Sequence, residues 1–111
     1  MTPTARSSVP ATPIDLAHLD RQTLGDRALR DEVLDLFLGQ MASLRAELAR
    51  ASGPARARLA HKVQGAALGI GAHAVARSAA QLQASPDLDE ATFALLERVD
   101  EVVRFIAAMR K

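Results

Sequence analysis

Leu59-Ala60-His61-Lys62-Val63-Gln64-Gly65-Ala66-Ala67-Leu68-Gly69-Ile70-Gly71-Ala72 is the stretch on which the reading of this chain turns. At about 100° per residue, Leu59, Val63, Ala66 and Ile70 fall along one stripe of a helix. His61 lies about 200° round from Leu59, with Ala57, Arg58, Gln64, Gly65 and Leu68 beside it on the opposite face. A nucleophilic, titratable ring therefore faces solvent, and the residue one turn along has no side chain. A glycine inside a helix costs about 0.8–1.0 kcal/mol relative to alanine. Its presence implies that something approaches the backbone next to His61.

The surrounding composition fixes the fold class. The chain has 111 residues, enough for one domain with a single modest core. Hydrophobic residues make up 49%, yet aromatics only 3%, with neither Trp nor Tyr, so the core must be built from Leu, Val, Ile and Ala. Leu and Ala are strong helix formers, and strand-favouring aromatics are scarce. An all-α domain follows.

The charges exclude several function classes. Fourteen basic and thirteen acidic residues are interleaved rather than clustered, which leaves no electrostatic footprint for nucleic acid. Without cysteine there is neither a disulfide nor a thiolate metal site, as suits a reducing compartment. The N-terminus lacks the apolar run of a secretion signal. His73, Arg77 and Asp35 break the longest apolar runs before they reach membrane-spanning length. The expectation is a cytoplasmic protein with no membrane or nucleic-acid partner, and the mixed charges around the apolar stripes favour a monomer.

Outward from the quoted stretch, punctuation marks five helical segments. Residues 1–13 hold three of the five prolines and read as a disordered tail, leaving 14–111 as the domain. Ile14 to Leu24 reads as a short helix or turn, with Leu16, Leu19 and Leu24 packing down as a lid. Asp26 is the expected N-cap of a long helix over Arg27–Ala51, whose stripe is Leu34, Phe37, Leu38, Met41, Leu44 and Leu48. Pro54 opens the next helix, which carries His61 and ends at Ile70, where Gly69 and Gly71 suit a left-handed cap. A shorter helix over 72–84 buries Val75, Ala79 and Leu82. Asp87 and Glu90 have the spacing of a capping box before a last helix. That helix turns Phe93, Leu96, Val99, Val103, Ile106 and Met109 inward, and Arg110 and Lys111 suit its C-terminal dipole end. Short loops between four substantial helices give an antiparallel up-and-down four-helix bundle with a short additional N-terminal helix.

Other chemistry is thinly represented. His18 reads as a surface or lid residue and His73 as a first-turn polar residue. Neither has a His, Asp or Glu partner at ligand spacing, so no metal site is expected. The serines lack a His-plus-acid context. Asp31-Glu32 and Asp89-Glu90 are adjacent acids that point to different sides of a helix. Gly69-Ile70-Gly71 lacks both the third glycine and the preceding strand of a dinucleotide fingerprint.

His61-Lys62-Val63-Gln64-Gly65-Ala66-Ala67, followed by Gly71-Ala72, resembles the signature of histidine-containing phosphotransfer (HPt) domains of two-component phosphorelays. The resemblance extends to Leu19 and Thr23-Leu24 and to Leu34 and Phe37, and covers about residues 14–111 in helix order and length. It implies a phosphoryl carrier without kinase or ATP-binding activity of its own. In that reading His61 is the acceptor, passing a phosphoryl group between receiver-domain aspartates of a hybrid histidine kinase and a response regulator. No cofactor is implied in this chain, and Mg²⁺ belongs to the partner receiver. Where the family commonly has Lys three residues after the histidine, this chain has Gln64, which donates a hydrogen bond but brings no charge. Arg58 and Lys62 are placed to supply that charge, whereas Ala57, Gly65 and Leu68 serve partner docking, with Leu68 equally able to turn inward. Neutral imidazole suits the role because its unperturbed pKa is about 6.5.

Gln64 also keeps open a second reading, a helical-bundle interaction module that docks a receiver or kinase without being phosphorylated. A dimerising kinase bundle fits less well, because four helices in one chain exceed the two per subunit that such a dimer uses.

Overall fold

The computed structural model describes residues 12–110, and all its regular secondary structure is helical. The tail expected over residues 1–13 falls almost wholly on positions outside the described residues, as does Lys111. The helices are α1 (Leu16–Gln22), α2 (Arg27–Arg50), α3 (Gly53–Ile70), α4 (His73–Ala84) and α5 (Asp89–Met109). Each of α2 to α5 packs on the next in the chain, and α5 closes the ring against α2. Connections of two to four residues, such as Ala51-Ser52 and Gly71-Ala72, force each helix to reverse direction. The short α1 lies against α3.

Helix α2 follows its stripe as expected, with Leu34, Phe37, Met41, Leu44 and Leu48 buried and Leu38 half-buried. Asp26 caps it, its carboxylate accepting the Leu29 backbone N–H at 3.1 Å. Helix α4 buries Val75, Ala79 and Leu82, together with Ala76 and Ser78. Small side chains at Ala60 and Ala67 of α3 and at Ala76 and Ala79 of α4 are all buried, which allows two helices a close approach.

The rotational phase of two helices differs from the stripe read in the sequence. In α3 the buried line is Arg56, Ala60, Val63, Ala67 and Ile70, and Leu59 and Ala66 are only partly buried. Leu59 and Ala66 instead border grooves along the seam with α2. In α5 the buried set is Thr92, Leu95, Val99, Val102 and Ile106. Leu96, Val103 and Met109 are rim positions, and Phe93, expected inside, is 74% exposed. The cause is the same in both. Each helix is clasped by two or more neighbours, so the centre of its buried arc is set by where those neighbours stand and not by its bulkiest residues alone.

The lid is corrected too. Leu19 is buried, joined by Ile14 and Thr23, but Leu16 and Leu24 are exposed. Asp15 caps α1, and the chain leaves it through Leu24 and Gly25, both at positive φ (56° and 70°). That turn swings Leu24 outward. Thr23 takes the inward place, its hydroxyl donating to the Leu19 carbonyl at 2.8 Å.

Asp87 does not form a capping box. The N-cap of α5 is Leu88, with no side-chain cap hydrogen bond. The Asp87 carboxylate reaches across to α3 and accepts the Gly53 backbone N–H at 2.8 Å. Arg56, buried on the next turn of α3, donates to the Pro86 carbonyl at 3.1 Å and faces Asp89 at 3.5 Å. The α4–α5 loop is thereby fastened to the start of α3. An acid at a free helix N-terminus is favoured by the dipole, and α3 has no side-chain cap of its own from Ser52.

At the other end of α3, Gly71 takes the left-handed cap (φ 79°), while Gly69 stays within the helix. A side chain at Gly71 would place its Cβ 3.0 Å from the Asp15 carbonyl and 3.1 Å from the His18 ring. Glycine is needed there twice over, for the backbone angle and for the contact.

Candidate functional site

Helix α3 presents His61 midway along its length, nine residues from Ile70, and the ring is exposed. Its neighbours on that face sort by exposure. Arg58, Lys62, Gly65 and Leu68 are exposed, and Ala57 and Gln64 are half-buried. Leu68, for which the sequence allowed either orientation, is 48% exposed and so turns outward. The position of Gly65 is open: a Cβ added there would meet nothing within 4 Å. Among the described residues, therefore, nothing requires glycine at that point.

Lys62 stands between two shallow grooves along the α2–α3 seam. One is lined by Leu36, Gly39, Gln40 and Ala66, the other by Glu47, Arg50, Ala55 and Leu59. Leu36 is 69% exposed at the edge of the first. The face around His61 thus combines two cations, an open stretch of main chain and scattered apolar side chains. The two grooves beside it are open and not enclosed, and a face of this shape suits a broad protein partner. Among the described residues there is no group of three or more His, Asp or Glu placed to hold a metal ion.

One residue of this region escaped the sequence reading. Gln83, in the last turn of α4, donates from Nε2 to the Gln64 Oε1 at 2.7 Å. It lies nineteen positions from Gln64, and no local pattern marks it. Only the packing of α4 on α3 brings the two amides together.

The remaining histidines form a separate group at the α3–α4 turn. His18 and His73 meet edge-on, ring centroids 5.8 Å apart, and His73 Nε2 lies 3.4 Å from Asp15 Oδ2. The Asp15 carboxyl is held below the usual carboxylate range, chiefly by the His18 backbone N–H and then by His73. Asp15 also donates its backbone N–H to the Gly71 carbonyl at 2.9 Å. This group fastens α1 to the end of the His61 helix.

The arrangement of helices recurs in a solved structure. The crystal structure of the histidine phosphotransferase ShpA from Caulobacter crescentus matches with a TM-score of 0.74 and 31% sequence identity. The match covers 88% of this chain and 90% of that one. The chain belongs to the histidine phosphotransfer family. No family profile matches the sequence, and no curated protein does. As an HPt protein it is a phosphoryl carrier in a His-based phosphorelay, and its family exchanges phosphoryl groups with receiver domains. No helix among the described residues is long and apolar enough to cross a membrane.

Proposed function

We propose that His61 is the phosphoryl acceptor of this HPt domain, and that residues 14–111 form the functional unit. The observation that carries this reading is the exposed imidazole in the middle of α3, with Gly65 one turn on and open space above it. In the forward step the Nε2 lone pair attacks the phosphorus of a receiver's aspartyl phosphate. The N–P bond forms as the P–O bond to the carboxyl group breaks, and that electron pair leaves with the carboxylate. The reverse step, onto a second receiver, uses the same atoms. A convex face suits this traffic, because two acidic pockets must in turn cover one nitrogen.

Arg58 and Lys62, exposed cations three residues before and one residue after His61 on α3, serve to offset the charge of a phosphoryl group there, and Gln64 supplies neutral donors. Ala57, Gly65 and Leu68 serve as the docking surface, glycine letting a partner loop come close to the helix backbone. The partners in this reading are the receiver domains of a hybrid histidine kinase and a response regulator, which bring their own Mg²⁺.

The test is direct. The protein is incubated with a phosphorylated receiver and examined for an acid-labile, base-stable phosphoryl group on His61. His61→Gln should take up none. A wild-type protein that binds the receiver and stays unphosphorylated would favour the docking-module reading instead.

A further inference from the structure

We propose that Gln83 is a positioning residue for the phosphoryl group: it fixes Gln64 so that the amide N–H donors of Gln64, and not its oxygen, are free to meet the phosphoryl oxygens on His61. The inference rests on His61 being the acceptor.

His61 and Gln64 are three residues apart on α3, so their side chains rise from neighbouring points of one face, with Cβ atoms about 5–6 Å apart. Gln64 is half-buried and turned toward α4, where Gln83 Nε2 donates to its Oε1 at 2.7 Å. A carboxamide can be rotated end for end, exchanging donor and acceptor, and the neighbours decide which way it stands. For Gln83 the deciding neighbour is the Ala79 carbonyl, 3.4 Å from the same Nε2. A carbonyl only accepts, so Gln83 must turn its NH₂ group toward it. The amide of Gln83 therefore presents hydrogens to Gln64, and Gln64 answers with its oxygen. Both N–H groups of Gln64 are left unconsumed by this contact.

The consequence bears on the phosphorylated state. A phosphoryl group brings three acceptor oxygens and a charge of about −1.5 to −2 at neutral pH. An untethered glutamine would have to turn its amide so that the NH₂ end, the only end that can donate, meets that group, and would lose rotamer freedom on binding. The Gln83 contact removes both costs in advance. Held in this way, a neutral residue does part of the work of a fixed cation, at the position where the family commonly has lysine.

The experiment needs no partner protein. Phosphoramidate phosphorylates the purified chain: the Nε2–P bond forms as the bond to nitrogen in the reagent breaks, and ammonia leaves with the electron pair. Loss of the phosphoryl group is then followed by ³¹P NMR at neutral pH, with circular dichroism recorded on every variant. Losing one neutral hydrogen bond, here the Gln83–Gln64 contact, corresponds to a roughly three- to tenfold change in rate. Gln83→Ala and the better space-filling Gln83→Met should both shed phosphate faster by about that factor. Gln83→Glu should be faster still, because a carboxylate draws the Gln64 NH₂ toward itself and turns the oxygen to the phosphoryl group. In a Gln64→Lys background the identity of residue 83 should cease to matter. The side-chain amide resonance of Gln64 should shift on phosphorylation in the wild type and not in Gln83→Glu.

Folded Gln83→Met and Gln83→Glu proteins that lose phosphate at the wild-type rate would overturn the role of Gln83 while leaving His61 as acceptor. A phosphoryl group that still forms on His61→Gln would overturn the underlying assignment.

Discussion

Asp35 of α2 and Arg110 at the C-cap of α5 are joined by a 2.6 Å hydrogen-bonded ion pair, seventy-five residues apart in the chain. With the Arg45–Asp100 pair further along, it stitches the seam at which the last helix closes the bundle against α2. The Arg110 guanidinium holds the Asp35 carboxyl below its ordinary value of 3.8, and Asp35 in turn raises Arg110.

This linkage has a definite sign. A carboxylate whose folded pKa is depressed adds stability above its unfolded pKa and loses it as pH falls through the folded value. Asp35, and Asp15 for the same reason, should therefore make the fold weaken as pH drops below about 3.8. Melting curves taken between about pH 5 and about pH 2.5 should show a shallower acid loss for Asp35→Asn than for the wild type. Parallel curves would deny the linkage.

His61→Gln should leave stability within about 0.5 kcal/mol of wild type, since the ring is exposed and away from the core. Phosphoryl uptake should vanish. A large fall in melting temperature would mean that the ring packs against the bundle, contrary to the structure.

A bulky residue at Gly65 has room, because nothing lies within 4 Å of the Cβ position. Gly65→Leu should keep or raise helix stability, by up to about 1 kcal/mol from propensity alone. Transfer from a phosphorylated receiver should slow, and stopped-flow kinetics on the folded variant would register it. Unchanged transfer would show that no partner backbone comes close there.

Gly71→Ala is the opposite case. Its φ of 79° and the 3.0 Å approach to the Asp15 carbonyl both count against any side chain. A loss of about 1–3 kcal/mol is expected, read by urea unfolding. Amide exchange should rise first in α1, which that contact holds in place.

Arg56→Ala strips the α4–α5 loop of its hold on α3 and opens a gap at a buried position. Stability should fall by about 1–3 kcal/mol. Hydrogen exchange at Ser85 and Leu88 should accelerate more than at Leu34, and uniform acceleration would show that the loop had not been singled out.

Much of this architecture is written locally. Asp26 caps α2 because an acid precedes a run of strong helix formers, and Gly71 ends α3 because a glycine follows the last apolar residue. The α2 stripe from Leu34 to Leu48 lies inside as its spacing demands. Local signals fail where a neighbour decides. Phe93 is the largest apolar side chain near the start of α5, yet Leu95 and Thr92 are buried in its stead. Asp87 has the spacing of one motif and serves another helix. Leu24 has the character of a lid residue and is turned out by a left-handed backbone.

By itself, then, the order of residues settled four long helices, their limits to within about one residue, and that His61 stands off the apolar stripe of α3. Each of those follows from interactions within about one turn of helix, which spacing encodes. The tertiary structure alone decided the rotation of α3 and α5, the fastening of the α4–α5 loop to α3, and the pairing of Gln83 with Gln64. These depend on which surfaces of separate helices meet, and a contact between residues distant in the chain leaves no periodic trace along it.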